Sequence, residues 1–558
     1  MNSGDRTSEI SPDLVLMNTL QIKASSSGAV SVFRHVYKQG RTQDRFSGGA
    51  MTSFGEGYRG VWRFLALLVV FITSLVAKFY WSRRHLYAAA AKIQGPKGLP
   101  IVGNALSFFC DSEDILEKIK IIFEPVKHEP FRFWLGPYLL IALKNPVHLE
   151  KIMSSQKFAY KHDLYEFLEK IGGDGLITAS GLKPKYKIHR RLLQPMFDLN
   201  FVRSTLPIMN ERFKLCMEEL EKFTNGKTFD IVHVMEPCSM GVIAEIVMGQ
   251  KLNSQSIYNI QLSQVMSKLL YCGFTRMLKL WLHSDFVYNF HPLKKEQDDA
   301  LSTLHHFINE AITDSCTRRK FNKTNTFIPV LDKLTEIVER NSEILSREDL
   351  VDHLTNILSA SQDPFSIISC FSIICFGMYP EYQAKAVEEI KNVIGEKQRE
   401  ITLEDIYKLK YLDMCVKDVL RLFPIAPIIL RRSIEDYHLD KWTIPKSAAI
   451  AIPIYFLHRD PEYWIHPDHF YPDHFLPEFV QKRHPYTYMP FSAGPRGCIG
   501  KTLANIEIKL FMAMFLQTYK VEADGNVPLL KLCADISTRA KFGYNCRIKK
   551  RNGDIKPK

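Results

Sequence analysis

The ten residues Phe491 to Gly500, FSAGPRGCIG, constrain this chain more than any other stretch. Gly494 and Gly497 permit tight turns and the close approach of a flat ligand. Pro495 stiffens the loop between them. Arg496 offers a cation to an anionic group. Cys498 is followed within three residues by KTLANIEIKLFMAMFL, whose apolar positions recur at helical spacing. A helix N-terminus just past a cysteine favours its thiolate, because the helix dipole places positive charge there. Backbone N–H groups aimed at the sulfur would tune a bound metal.

A loop of this kind needs a large body around it, and the chain has the means. Of its 558 residues 46% are apolar, enough to bury a sizeable core. Apolar positions at helical spacing over 206–224 and 296–316 predict helices. Residues 351–379 form a long, largely apolar run that reads as a buried central helix, and 380–394 continue as a charged helix opened by Pro380. Short β-branched runs over 426–456, and again over 527–550, predict small sheets. No fixed-period repeat is present, which disfavours a solenoid or propeller. Eleven cysteines without CxxC spacing argue against a disulfide framework and against structural zinc. The net charge of +13 is scattered and not interleaved with aromatics, which argues against nucleic acid as a partner.

Residues 64–77, FLALLVVFITSLVA, extend through Lys78 and the aromatics Phe79, Tyr80 and Trp81 to a span that one membrane helix needs. We read 61–82 as a membrane anchor. Arg83, Arg84 and His85 follow it and favour a cytosolic body; a cleaved secretion signal is the other reading. Residues 1–60 read as a polar, disordered extension. Residues 14–43 carry no acid, four Lys or Arg and several Ser, which resembles a mitochondrial targeting segment, and Met51 offers an alternative start. Residues 83–104 are basic and then Pro-rich, and Gly95 to Asn104 should act as a semi-rigid hinge. A single large domain follows over 105–558.

The loop matches, in order, the FxxGxRxCxG signature of the cytochrome P-450 family at Phe491, Gly494, Arg496, Cys498 and Gly500. The resemblance runs from about Gly95 to Arg551. Tyr411 to Pro424 is similar to the family's K helix, Leu457 to Glu478 to the segment before the heme loop, and Lys185 to Phe197 to the C helix. The closest likeness is to the microsomal branch of fatty-acid ω-hydroxylases and insect enzymes. It implies a mainly α fold with a small β portion, preceded by one membrane helix. It implies heme b with Cys498 as axial ligand of the iron, and Arg190, Arg431 and Arg496 paired with the propionates. Ala360 stands where some relatives carry a Glu that bonds heme covalently, so no such ester is expected.

Several positions depart from the family pattern. Tyr186 replaces the usual C-helix Trp. Asp418 replaces the Glu that pairs with Arg421, and His474 replaces the third, arginine member of that network. Residues 360–364 read ASQDP, so Asp363 keeps the acid while Pro364 stands where a Thr hydroxyl normally serves proton delivery. Ser366 and Ser361 are the nearby hydroxyls that can substitute.

The resemblance implies a monooxygenase that acts on an apolar substrate: a lipid, fatty acid, steroid or hydrophobic xenobiotic. Phe423 to Leu430, FPIAPIIL, would line its pocket. Electrons would come from NADPH through the membrane-bound cytochrome P-450 reductase, with cytochrome b5 as a second donor. Lys187, Arg191 and Lys501 would receive the reductase. The endoplasmic reticulum membrane is the expected site and mitochondria the alternative. Two rival readings remain at this point: a heme-thiolate isomerase or dehydratase that does not use O2, and a degenerate heme- or lipid-binding protein.

Overall fold

The computed structural model describes residues 50–108, 110, 114–251, 257–321, 327–396 and 399–551. The chain divides into two compact units, Met1–Ser82 and Arg83–Lys558. In the first, helix α1 (Ala50–Ser82) begins ahead of the expected anchor boundary at 61, so 50–60 are helical rather than disordered. Its stretch Val61–Ser82 is long and apolar enough to cross a membrane. The expected targeting segment lies outside the described residues.

The second unit is mainly helical. Seven further elements position the site: α2 (Lys185–Leu193), α3 (Leu199–Leu220), α4 (Val232–Ile243), α5 (Arg347–Met378), α6 (Lys410–Leu422), α7 (Lys501–Thr518), and a four-stranded sheet. That sheet has the order β1 (Phe131–Leu135), β2 (Tyr138–Ala142), β4 (Ala449–Ile452), β3 (Ile429–Arg432). Strands β2 and β4 run parallel, with Leu140 opposite Ala449; the other pairs are antiparallel. A separate hairpin pairs β5 (Leu532–Ala534) with β6 (Thr538–Ala540).

Helix α5 is the centre of the body. Ser346 and Asp349 satisfy its first free N–H groups as a capping box, and it stops two residues before Pro380. It is buried on nearly every side, which is why its sequence is apolar all round rather than striped. It passes through Pro364 without a break in its helical course, although proline lacks the N–H that a helix interior uses. Packing overrides propensity at this point, and Ser239 of α4 donates to the Gln362 carbonyl at 2.7 Å just before the proline.

The segment 83–104 is bonded to β1. Arg84–Ala90 is helical, and the Pro-rich part is knitted along β1. The Arg132 N–H donates to Gln94 at 2.7 Å and the Arg132 side chain to the Ile93 carbonyl at 2.9 Å. Asn104 and Trp134 exchange two hydrogen bonds. A Cβ on Gly95 would lie 2.0 Å from the Arg132 carbonyl oxygen, so only glycine permits this approach.

Candidate active site

Gly494 (φ +66°) opens one turn of 3-10 helix, and a Cβ there would meet the Met153 carbonyl oxygen at 1.7 Å. The Cys498 N–H then donates to the Phe491 carbonyl at 2.9 Å, closing the loop, and α7 begins at Lys501. Phe491 itself is half-buried against the main core. Burial pushes the Cys498 thiol up from its ordinary pKa, while the Gly500 N–H, Arg190 and Lys501 act the other way. Although it lies deep in the fold, Cys498 is exposed. Helix α5 has a similar open patch: Ala360 is exposed, and Ser361 and Pro364 are half-buried, on a helix otherwise sequestered.

Beside the cysteine loop are cations with no anion. Arg496 is 8% exposed and donates to the carbonyls of Ala159 at 2.6 Å and Ala179 at 2.9 Å. Its guanidinium stacks on the Tyr186 ring at 3.6 Å. Arg431 is 4% exposed and donates to Ser492 Oγ at 3.1 Å. Lys161 donates to the Ile177 carbonyl and lies over the Tyr165 ring at 4.3 Å. Among the described residues none of the three has a carboxylate partner. Burial lowers the pKa of each; Arg431 adds to the lowering at Arg496, and both arginines add to it at Lys161. Among the described residues the buried Tyr186 hydroxyl has no hydrogen-bond partner. Interior charges are ordinarily paired, so this cluster suits an anionic ligand carrying more than one negative group.

Arg190 is placed differently from the other arginines. Its Nη2 donates to the Gly497 carbonyl at 2.7 Å, bracing the loop next to Cys498.

On α5 the Asp363 carboxylate is turned away from the open patch. It is 1% exposed, pairs with Arg539, and accepts from Ser537 Oγ at 2.6 Å. Ser366 is fully buried, and its hydroxyl donates to the Asp363 carbonyl at 3.2 Å. Of the two serines, Ser361 is the one beside the open surface.

Behind the loop, Arg421 and Asp418 form a fully buried pair at 2.6 Å, and His474 donates Nδ1–H to Asp418 at 2.8 Å. Arg421 also donates to the carbonyls of His458, Pro467 and His469. Burial opposes the Asp418 charge, but Arg421 and His474 outweigh it and hold the carboxyl below its ordinary pKa.

The model of the Cytochrome P450 family matches residues 93–543. The chain is a cytochrome P450. Human Cytochrome P450 4V2 is 31% identical to this P450 over 471 residues, which cover 82% of this chain and 89% of that protein. The Mus musculus protein of the same name is 31% identical over 474 residues with the same coverage. Cytochrome P450 4c3 of Drosophila melanogaster is 27% identical over 493 residues, covering 84% and 91%. In fold, the P450 resembles the crystal structure of the cytochrome P450DA heme domain, with TM-score 0.71 and 19% identity over 82% of this chain and 97% of that one. The family places this P450 among heme-thiolate monooxygenases whose cofactor is non-covalently bound heme b. The residues fit that group. Heme b carries two carboxylates, and the unpaired cations with the orphaned Tyr186 hydroxyl provide donors for them.

Sequence reasoning missed Lys161 and Arg539. Neither sits in a motif, and Arg539 is 176 residues from its partner. A lone lysine in a loop carries no spacing signal.

Proposed function

We propose that this P450 oxidises an apolar substrate on heme bound between the Cys498 loop and helix α5, with Cys498 as axial ligand. The observation that supports this most is the exposed Cys498 on a loop flanked by the buried Arg431 and Arg496, neither paired with a carboxylate among the described residues. Arg431, Arg496, Lys161 and the Tyr186 hydroxyl hold the propionates. Arg190 braces the loop, and its charge, with that of Lys501 and the Gly500 N–H, favours the thiolate against burial. Heme, when bound, supplies the oxygen chemistry, with the thiolate donating electron density. Ala360, Ser361 and Pro364 line the substrate side, and Ile425, Ala426 and Ile428 are half-buried in the apolar segment that would face them. This composition favours a lipid, fatty acid or similarly hydrophobic compound.

Residues 61–82 anchor the chain in the endoplasmic reticulum membrane, and Arg83 and Arg84 keep the body, 105–558, on the cytosolic side. Electrons come from NADPH through a flavoprotein reductase that docks on the exposed Lys187, Arg191 and Lys501. The test is the carbonyl difference spectrum of the reduced protein. The red-shifted Soret band of a thiolate complex is expected in the natural protein and absent in Cys498→Ala. Retention of the band in that variant overturns the assignment.

A further inference from the structure

The Asp363 side chain is engaged on both oxygens. Arg539 occupies Oδ1, and Ser537 Oγ donates to Oδ2 at 2.6 Å. Both partners belong to the β5–β6 hairpin, Ser537 to its turn and Arg539 to β6 just beyond; the strands pair Thr538 with Ala534 and leave Asp535, Ile536 and Ser537 as the turn. The same tip is fixed on its other side. The Thr538 N–H donates to the Ile425 carbonyl at 3.0 Å and its Oγ1 to the Pro424 carbonyl at 2.7 Å. The turn is therefore wedged between α5 and the apolar segment 423–430.

Two further observations bear on this wedge, one of backbone strain and one of charge. Ile536 has φ +150°, a backbone conformation that a β-branched residue adopts only where its surroundings impose it. And Arg539 is a lone guanidinium among several carboxylates. Its Nε donates to Asp535 at 2.8 Å while its Nη2 holds Asp363. Burial opposes its charge, yet Asp363 and Asp535 outweigh it. Beside them, Glu236 is pushed up to about 7 by burial, with Asp363 adding to the rise.

We propose that Asp363 is a positioning residue: with Arg539 and Ser537 it clasps the hairpin tip onto α5 and so fixes Ile536 at the substrate side of the pocket. This rests on reading α5 and 423–430 as the pocket walls. It departs from the family-based expectation that Asp363 delivers protons. A carboxylate with both oxygens occupied and 1% exposure has no arm toward the open patch at Ala360. Released from the clasp, the strained turn relaxes and the tip moves, which changes what bulk the pocket admits.

The test uses the full-length ferric holoprotein as natural sequence, Asp363→Asn, Arg539→Gln, the double variant, and Arg539→Lys as the conservative control. Three measurements are made on each: hydrogen exchange over 532–540, spectral binding of 4-phenylimidazole against imidazole, and the reduced carbonyl spectrum. Each single variant should speed exchange at the tip by about ten-fold or more, because a local clasp is lost while the fold persists. The double variant should be no worse than either single one, since both remove the same interaction. Arg539→Lys should recover part of the protection. The ratio of phenylimidazole to imidazole affinity should shift several-fold, because only the larger probe reaches the tip. Unchanged exchange, or additive effects in the double variant, with the red-shifted Soret band intact overturns the clasp alone. Absence of that band in the natural protein overturns the reading of the site as well.

Discussion

His474 touches Asp418 through Nδ1 at 2.8 Å while its Nε2 faces the Ile465 carbonyl oxygen. His474 thus stands where the family carries an arginine, with one ring nitrogen donating to the Asp418 carboxylate and the other facing a backbone carbonyl, so the buried network of Asp418, Arg421 and His474 is closed by the imidazole.

The consequence is an order of tolerance at this position. His474→Ala leaves Asp418 short of a donor in a site with no solvent, and should lower unfolding free energy by about 3 kcal/mol. His474→Gln retains one donor and one acceptor and should fall between. His474→Arg, which restores a permanent cation, should cost least. Denaturant midpoints of the holoprotein rank the three. Asp418 adds an acid limit. Its depressed carboxyl contributes stability above the unfolded-state pKa, and that contribution disappears as pH falls through the folded value.

Lys161 gives a prediction of opposite sign in two states. Without heme, its charge is opposed by burial and by Arg496 and Arg431. Lys161→Met should therefore leave the heme-free protein as stable as before, or slightly more so. With heme bound, the same change removes a propionate partner and should speed heme loss about ten-fold. Thermal melts of the heme-free protein and transfer of heme to apomyoglobin measure the two arms. Faster unfolding of the heme-free variant would show Lys161 to be a structural residue instead.

Glu507 on α7 is 3% exposed, and among the described residues its Oε1 has no partner. Burial alone pushes its carboxyl up to about 8. A raised acid pKa means the folded state holds a proton that the unfolded chain releases above about 4.3. Stability from this group is thus greatest at low pH, falls as pH rises toward about 8, and is flat beyond. The total span is on the order of 5 kcal/mol. Glu507→Gln should match the natural protein near pH 5 and exceed it near pH 9, which urea titrations at the two pH values resolve.

These cases show where sequence reading succeeds and where it stops. The Cys498 loop was legible because its constraints are contiguous: each glycine, the arginine and the cysteine act within ten residues. Helix α5 was legible from its apolar run, and the helix Pro380–Ile394 from Pro380, because both signals are local. Asp363 was legible as a residue but not in its engagement, since Ser537 and Arg539 lie 174 and 176 positions away and no periodicity joins them. Arg190 was expected among the propionate partners, and only three-dimensional packing reveals its bond to Gly497. The 83–104 segment read as a hinge because its prolines are local, while the strand that captures it begins at Phe131.

Lys187, Arg191 and Lys501 are exposed, and among the described residues none has a carboxylate partner. Their charges are free to act on an acidic partner, mainly through encounter rate. Lys187→Glu should slow heme reduction by the reductase several-fold at low salt. The gap should close as salt rises past about 0.5 M, where screening shortens to a few ångströms. Stopped-flow reduction at two salt concentrations separates a docking residue from an ordinary surface lysine, whose reversal would change nothing.

Pro364 sits on the open face of α5 with no hydroxyl and no N–H. Water near this wall loses the anchor that a threonine there would provide. Ser366 does not replace it, being fully buried and bonded to the Asp363 carbonyl. Ser361, half-buried next to exposed Ala360, is the nearest hydroxyl on the correct side. Electrons drawn from NADPH should therefore end in hydrogen peroxide more often than in product. Pro364→Thr should raise the product fraction several-fold, Ser361→Ala should lower it, and Ser366→Ala should leave it unchanged. Product and peroxide formed per NADPH consumed decide among them. Efficient coupling in the natural protein, indifferent to Ser361→Ala, would mean that proton delivery does not pass through hydroxyls on this stretch of α5 at all.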